Sequence, residues 1–356
     1  MNLLLDRALL VGMLGLLGCI AGLLLAPRDT LLAWLVAWLA WGSIPIGSLA
    51  VLMLLALIPG SWRALYGRPL VIGATLVPLV AIAVIPLLIG IDLIYPWTNP
   101  AITAGYAAFK SAWLSSGFFV VRAILYMLVL SGFAWGLPNA EPRLRAPIAA
   151  IGVILYGIIG SLIGVDFGES TEPAFHSSIY GLLALSNQWL AGISFAILLG
   201  LWSSDGKAPR AASGVLITAI LIWGYMHAMQ YIVIWAGDIP DEVRWYLERG
   251  SGGWVTLAWV LYGLQGLVAF GALLSPAVRN SRNAMIALAT LTLVMRLIEN
   301  AWFVLPGIAG VSWTVVPMIL AASVAMLGFG WVGAVALRRP DSGWNESEWV
   351  RETRSA

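Results

Sequence analysis

Residues 31–58 read LLAWLVAWLAWGSIPIGSLAVLMLLALI, an apolar stretch without a charged side chain. About 20 apolar residues are enough for an α-helix to cross a membrane, so this stretch is long enough to span one. Similar stretches follow along the chain, and 61% of its 356 residues are hydrophobic while 10% are charged. A typical soluble domain has about 25% charged residues. The sequence therefore predicts an all-α polytopic membrane protein and excludes a soluble globular enzyme and a disordered chain.

Ten apolar segments, each ending at glycine, proline or a charged residue, are predicted to be transmembrane helices. They lie near residues 8–26, 31–58, 70–90, 112–136, 145–165, 178–201, 212–236, 254–276, 284–304 and 314–337. One transmembrane domain is expected over residues 1–340, followed by a short cytoplasmic tail over 341–356.

A weak internal similarity relates the second and sixth spans. The stretch 47–50 reads GSLA, and the stretch 192–196 reads GISFA. This similarity would fit two related four-helix bundles, over about 31–165 and 178–304, with two peripheral helices. Small residues are also common wherever membrane helices pack closely, so coincidence remains the alternative explanation.

The distribution of basic residues predicts the orientation of the chain. Loops on the cytoplasmic side of a membrane are enriched in Lys and Arg. One side would hold Arg7, Arg63, Arg68, Arg143, Arg145, Lys207, Arg210, Arg279, Arg282, Arg338, Arg339, Arg351 and Arg354, and the other side would hold Arg28, Lys110, Arg244 and Arg249. Both termini are therefore predicted to be cytoplasmic. The longest outer loops, 166–177 and 237–253, are acidic.

Few residues in the chain are able to bind a metal. Cys19 is the single cysteine, so neither an internal disulfide nor a cysteine-ligated iron–sulfur cluster is possible in this chain. The two histidines are His176, expected in a loop, and His227, so a haem with two histidine ligands is not expected. The net charge of +2 gives no indication of a nucleic-acid partner.

Three charged residues fall inside predicted spans. They are Arg122 in span 4 and Arg296 and Glu299 in span 9. A charge at the centre of a bilayer costs roughly 2.5–3.5 kcal/mol on insertion scales, so these residues require partners. Arg296 and Glu299 share a helix face at i, i+3 spacing and are expected to pair. Either the pair fixes helix packing, or it lines a polar pocket or a proton path.

Further polar residues are predicted in the outer half of the membrane. Asp166 ends span 5, and His227 lies in span 7 with Gln230 and Tyr231 one turn further on. Histidine is able to accept and release protons near neutral pH. A packing role is the alternative for a lone histidine on an apolar helix.

Two long motifs resemble a known family. They are DFGESTEPAFHSSIYG at 166–181 and QYIVIWAGDIPDEVRWYLER at 230–249. Both are similar to stretches of NrfD-like (NrfD/PsrC) membrane subunits, specifically the ActF type of alternative complex III, a bacterial quinol:cytochrome c oxidoreductase. Shorter similarities lie around Tyr95-Pro96-Trp97, around Arg122, and from Met295 to Pro306, in the same order along the chain.

The resemblance implies an integral subunit of the bacterial inner membrane with two four-helix bundles. It implies a non-catalytic or co-catalytic role in quinol oxidation, with no metal bound by this chain and a quinol or quinone as possible ligand. Electrons would pass to haem and iron–sulfur clusters of partner subunits. These partners would be a second NrfD-like subunit, an iron–sulfur subunit and cytochrome c subunits, all surrounded by membrane lipids.

The resemblance also suggests roles for individual residues. The candidates for a proton path or a quinol pocket are Arg122, Asp166, His227, Arg296 and Glu299. In this interpretation Glu299 and His227 accept protons, Arg296 holds Glu299 ionised, and Asp166 is the outer exit. The candidates for partner docking are Glu172, Pro173, Asp238, Glu242, Trp245 and Tyr246.

Two other functions fit the same residues. A secondary transporter would also have charges near the middle of the membrane and related halves, with its polar pocket in the outer half. A purely structural membrane anchor would have inert polar residues.

Overall fold

A computed structural model describes residues 2–58, 60, 62–202, 210–311 and 313–336. Ten of its helices are long and apolar enough to cross a membrane, and the described residues contain no β-strand. The helices are α1 (Leu5–Leu25), α2 (Pro27–Leu57), α3 (Tyr66–Ile89), α4 (Ser116–Asn139), α5 (Pro142–Thr171), α6 (Tyr180–Trp202), α7 (Ala212–Gly237), α8 (Gly252–Leu274), α9 (Arg282–Val304) and α10 (Val315–Ala336). The predicted all-α polytopic membrane fold is confirmed.

Some sequence predictions fall outside this description. The predicted tail 341–356 lies outside the described residues, and so do Lys207, Arg338, Arg339, Arg351 and Arg354, which contribute to the predicted orientation.

The spans form two groups of four around a central contact. Helices α2 to α5 pack together as the first bundle, and α6 to α9 pack together as the second. The most extensive contact between the bundles is that of α2 with α6; α6 also packs against α3 and α5, and α9 packs against α2. Helices α1 and α10 pair with each other against α2. Short helices connect the spans; they are Ile91–Ile94, Pro96–Thr98, Pro100–Thr103, Ala108–Trp113, Pro240–Arg249 and Pro276–Asn280.

The contact between the bundles depends on two glycines. A Cβ added to Gly47 of α2 would lie 1.7 Å from the carbonyl oxygen of Gln188, and one added to Gly192 of α6 would lie 2.4 Å from the carbonyl carbon of Gly47. The backbones therefore touch directly, as small residues permit in membrane helices. The two similar stretches of the sequence thus meet each other at the centre of the molecule.

Helix α3 is interrupted near its prolines. The span runs through three helical segments, Arg63–Ala74, Val77–Ala83 and Ile85–Ile89, the first of which begins before Tyr66; the breaks lie close to Pro78 and Pro86. Indole groups of α2 bind carbonyls beside these breaks, with Trp34 Nε1 2.7 Å from the Ala83 oxygen and Trp38 Nε1 3.0 Å from the Val80 oxygen. A neighbouring helix thereby satisfies backbone groups that a broken helix exposes.

The loops gather at two ends of the bundle. We call the end with loops 92–115, 172–179, 238–251 and 305–311 the acidic end, where Lys110 Nζ donates to the Pro173 oxygen and Arg28 Nη1 to the Ala309 oxygen. We call the opposite end, with Arg63, Arg143, Arg279 and Arg282, the arginine-rich end.

The glycine contact leads to a first prediction. Gly192→Ala should lower the thermal unfolding midpoint of the purified protein because the added methyl forces α2 and α6 apart, at a cost of about 1–3 kcal/mol. Gly224→Ala in α7 is the matched control, since no atom outside its own helix lies within 4 Å of the added Cβ. Equal midpoints for the two variants would contradict this description of the central contact.

Candidate functional site

A group of polar side chains surrounds the fully buried Glu299 in the second bundle. Asn187 Nδ2 donates to Glu299 Oε2 at 2.9 Å, and Arg296 Nη1 donates to the same oxygen. Trp223 Nε1 and His227 Nε2 each lie 2.8 Å from Oε1. The expected pairing of Arg296 with Glu299 is confirmed. Each carboxylate oxygen thus has two partners.

Tyr262 of α8 extends this group through His227. Its hydroxyl lies 3.0 Å from His227 Nδ1. An ionised carboxylate only accepts hydrogen bonds, so His227 Nε2 carries the hydrogen towards Glu299. In the neutral imidazole, Nδ1 then accepts the hydrogen bond from Tyr262. The result is a chain of exchangeable protons from Tyr262 to Glu299. We define the Glu299 network as Asn187, Trp223, His227, Tyr262, Arg296 and Glu299.

Local helix geometry brings these side chains together. Trp223 and His227 lie on one face of α7 at i, i+4 spacing, as Arg296 and Glu299 do on α9 at i, i+3. Within α8 the segment Tyr262–Ala269 is π-helical, and such segments occur frequently at functional sites. All four helices of the second bundle contribute a side chain to the network.

A separate ion pair lies in the first bundle. The guanidinium of Arg122 donates to both oxygens of Asp166, with Nη2 2.9 Å from Oδ1 and Nε 3.0 Å from Oδ2. Tyr126 and Trp113 donate one further hydrogen bond to each oxygen, at 2.9 and 3.0 Å. Asp166 is 1% exposed and belongs to the π-helical segment Gly164–Gly168. The carboxylate is therefore satisfied at four acceptor positions.

The five residues predicted for one path or pocket lie in two clusters. Arg122 and Asp166 form the pair in the first bundle, whereas His227, Arg296 and Glu299 belong to the Glu299 network. No direct hydrogen bond joins the two clusters within the described part of the chain.

A small cavity lies between the two bundles. Its volume is about 30 Å³, and Tyr180, Asn187, Gln188 and Asn300 provide its polar lining. A cavity needs about 10–15 Å³ to hold one water molecule, so this one is large enough for water. It borders the Glu299 network through Asn187.

A larger pocket opens at the acidic end beside Asp166. Its volume is about 240 Å³, and its walls include Phe109, Trp113, Phe175, Lys110, Glu169 and His176. Lys110 Nζ lies 3.0 Å from His176 Nε2, and partial burial lowers the pKa of the Lys110 ammonium. Aromatic walls with a few polar groups are typical of sites for small organic ligands.

The described residues contain no group of three or more His, Cys, Asp or Glu side chains that is able to hold a metal ion. His176 lies in the loop at the acidic end, as predicted, and His227 lies inside the second bundle. Of the two cavities described above, the pocket at the acidic end is the larger.

Arg249 holds the loops of the acidic end together. It is fully buried and donates to the carbonyl oxygens of Trp245 at 3.0 Å and Trp302 at 3.1 Å, to that of Phe303, and to the Glu172 carboxylate. Its guanidinium carbon lies 3.7 Å from the centre of the Trp245 ring. Burial raises the pKa of Glu172, while the Arg249 guanidinium acts in the opposite direction.

This arrangement changes the expected docking surface. Trp245 is 2% exposed and stacks on Phe175, so it packs inside the chain and is not available to a partner. Glu172 pairs with Arg249 and is also largely internal. Asp238 is exposed, and Pro173, Glu242 and Tyr246 are partly exposed, so their docking role stays a prediction.

Several residues of the clusters were not predicted from the sequence. They are Asn187, Trp223 and Tyr262 around Glu299, Trp113 and Tyr126 around Asp166, and Arg249 in the loops. For Trp223 a signal existed, because it precedes His227 by one helical turn. The position of Tyr262 depends on the π-helical segment, which the residue pattern does not reveal.

No protein-family model matches the sequence. No curated protein matches it at a significant level.

The Arg122–Asp166 pair leads to a second prediction. Arg122→Met or Asp166→Leu alone should destabilise the protein by about 3–5 kcal/mol, because each leaves a buried charge without its partner. The double variant should be clearly more stable than either single variant, as measured by thermal unfolding in detergent. Additive losses in the double variant would show that the two side chains are not coupled.

The loop cluster leads to a third prediction. Arg249→Lys should lower the thermal midpoint because an ammonium group cannot reproduce the guanidinium bonds to several separate oxygens. Arg244→Lys on the same short helix is the control, since Arg244 is exposed and its nearest acidic oxygen, on Asp241, is 3.9 Å away; such surface pairs contribute about 0–1 kcal/mol. An unchanged midpoint for Arg249→Lys would contradict this role of Arg249.

Proposed function

We propose that this chain is an integral subunit of a bacterial respiratory quinol:cytochrome c oxidoreductase of the alternative complex III type. In this proposal it lies in the inner membrane with both termini in the cytoplasm and its acidic end on the outer side. The Glu299 network is the observation that carries the proposal. It places a carboxylate, an imidazole and a phenol in one hydrogen-bonded chain inside a membrane bundle.

Quinol oxidation explains why such a chain is useful. Oxidation of one quinol yields a quinone, two electrons and two protons. The electrons would leave through iron–sulfur and haem groups of partner subunits. The protons require groups that bind and release them near neutral pH, and histidine beside a carboxylate is suited to this task.

Each member of the network has a distinct part in proton transfer. In one relay step Tyr262 passes its hydroxyl proton to His227 Nδ1 while His227 releases the Nε2 proton to Glu299. A proton derived from the quinol then reprotonates Tyr262, so the net gain is one proton on the Glu299 carboxylate. Arg296 compensates the charge of the carboxylate, and Asn187 and Trp223 fix its orientation by neutral hydrogen bonds. Ionisable groups inside membrane spans commonly belong to such relays.

The pocket at the acidic end supports a quinol site, although its walls contain no residue of the Glu299 network. Its aromatic walls suit a flat ring, and Glu169 provides a carboxylate able to accept hydrogen bonds from ring hydroxyls. Asp166 borders the same pocket but is held by Arg122, Tyr126 and Trp113. We therefore assign Arg122 and Asp166 to shaping the pocket wall.

A secondary transporter is the competing proposal. It would need room for a solute beside the buried charges. The cavity next to the Glu299 network has a volume of about 30 Å³, which suits water better than a larger solute. This size favours a path for protons.

The proposal predicts a specific effect of Glu299→Gln. The variant leaves Arg296 without its carboxylate and should therefore be less stable than the wild type. In the complex that does assemble, quinol-dependent cytochrome c reduction per complex should fall about 100-fold, the lower range for removal of a proton-transfer group. Glu299→Asp keeps the carboxylate and should restore part of the rate. Asp241→Asn, an exposed residue of the acidic end, is the control and should behave as the wild type.

The same variants separate function from packing. If Glu299→Gln turns over at the wild-type rate in an intact complex, Glu299 serves packing only. If Glu299→Gln and Glu299→Asp both fail to assemble, the network is needed for folding, and His227→Gln then becomes the variant whose rate decides.

A further inference from the structure

Two buried polar atoms beside the Glu299 network have no partner among the described residues. They are Nη2 of Arg296 and Oε1 of Gln265, and both side chains are fully buried. Buried polar atoms are rarely left without a hydrogen bond, since each then loses its interaction with water and gains nothing in return. One of these atoms is a donor and the other an acceptor.

The orientation of the Gln265 amide follows from its neighbour Thr292. The Thr292 hydroxyl donates its hydrogen to the Leu288 carbonyl oxygen at 2.9 Å. The hydroxyl oxygen can then only accept a hydrogen bond from Gln265, whose Nε2 lies 3.4 Å away. The amide nitrogen faces Thr292, so the oxygen of Gln265 is the atom without a partner.

The same threonine also locates the free donor of Arg296. Arg296 Nε lies 3.3 Å from the backbone oxygen of Thr292, while Nη1 binds Glu299. The Arg296 guanidinium and the Gln265 amide are thus both hydrogen-bonded to Thr292, one through its backbone and one through its hydroxyl. Thr292 therefore links the side chain with the free donor, on α9, to the side chain with the free acceptor, on α8.

We propose that an ordered water molecule binds here, accepting a hydrogen bond from Arg296 Nη2 and donating one to Gln265 Oε1. The chemistry of the two atoms selects a neutral molecule that both donates and accepts. A metal cation would be repelled by the Arg296 guanidinium. An anion would be repelled by the Gln265 oxygen, and the charge of Arg296 is already balanced by Glu299.

This water would extend the Glu299 network towards the arginine-rich end of the bundle. Thr292 precedes Glu299 by seven residues, about 10 Å along a helix that rises 1.5 Å per residue, on the side facing the arginine-rich end. Within α8 the π-helical segment carries Tyr262 into the network and Gln265 to the water. The hydrogen-bonded series therefore continues from Glu299 through Arg296 to the water and Gln265.

The presence of the water is independent of the proposed function. Only its use as a step in proton transfer rests on the respiratory role. A water bound at this place with normal turnover of Glu299→Gln would leave the water established and the proton role rejected. A dry site with slow turnover of Glu299→Gln would reject the water and leave the proton role of Glu299 standing.

The test is a cryo-electron microscopy map at a resolution that shows ordered water. The wild-type protein should show a peak within hydrogen-bonding distance of both Arg296 Nη2 and Gln265 Oε1. Gln265→Met has a similar shape but no polar atoms, and it should lose the peak. Thr290→Val is the control. Thr290 is exposed on α9, the helix of Arg296, and its hydroxyl donates to the Ile286 carbonyl oxygen of that same helix, so the peak should remain.

Two results would overturn this inference. One is a wild-type map in which Arg296 and Gln265 bond directly to each other or enclose a dry gap. The other is an unchanged peak in Gln265→Met. If that variant does not fold, water-edited solid-state NMR of the wild type decides, since the Arg296 side-chain NH signals should receive magnetisation from water and their silence would contradict the proposal.

Discussion

A charged carboxylate inside an apolar helical bundle must find its hydrogen bonds within the protein, and the second bundle is arranged around this requirement. Glu299 is fully buried, and its oxygens bind side chains of α6, α7 and α9. Tyr262 of α8 joins through His227. Burial of an ion without such partners costs several kcal/mol, so the positions of these four helices and the ionised state of Glu299 depend on each other.

The ion pairs of Asp166 and Glu299 differ in what surrounds them. Asp166 receives hydrogen bonds from Arg122, Tyr126 and Trp113 and has no titratable neighbour of the histidine type among these donors. Glu299 binds an imidazole, whose second nitrogen continues to a phenol. The first arrangement holds helices together and shapes a pocket. The second joins three titratable side chains by hydrogen bonds, which is why it carries the proposed function.

The sequence predicts the spans well because their signal is local. Runs of apolar residues end at polar ones, and the Arg296–Glu299 pair follows from helical spacing alone. For the contact of Gly47 with Gly192, the sequence contains only a weak signal, the similarity of two short stretches. Partners far apart in sequence are harder to predict, as Arg122 and Asp166 are separated by 44 residues.

Two features show where sequence reasoning was insufficient. Trp245 belongs to a motif that suggested an exposed docking surface, yet it packs inside the chain against Phe175 and Arg249. Arg249 resembled an ordinary loop arginine, but it binds several backbone carbonyls and Glu172. In both cases the tertiary packing of a short loop helix decides the role, and residue spacing contains little information about that packing.

The measurement that tests the central claim most directly is purification of the tagged chain from native membranes in a mild detergent. Haem absorbance and quinol-dependent cytochrome c reduction are then read on the eluate. A respiratory subunit should bring haem and iron–sulfur partners with it, together with that activity. A chain that purifies alone, colourless and inactive, from membranes that retain quinol:cytochrome c activity elsewhere, would contradict the account and favour transport.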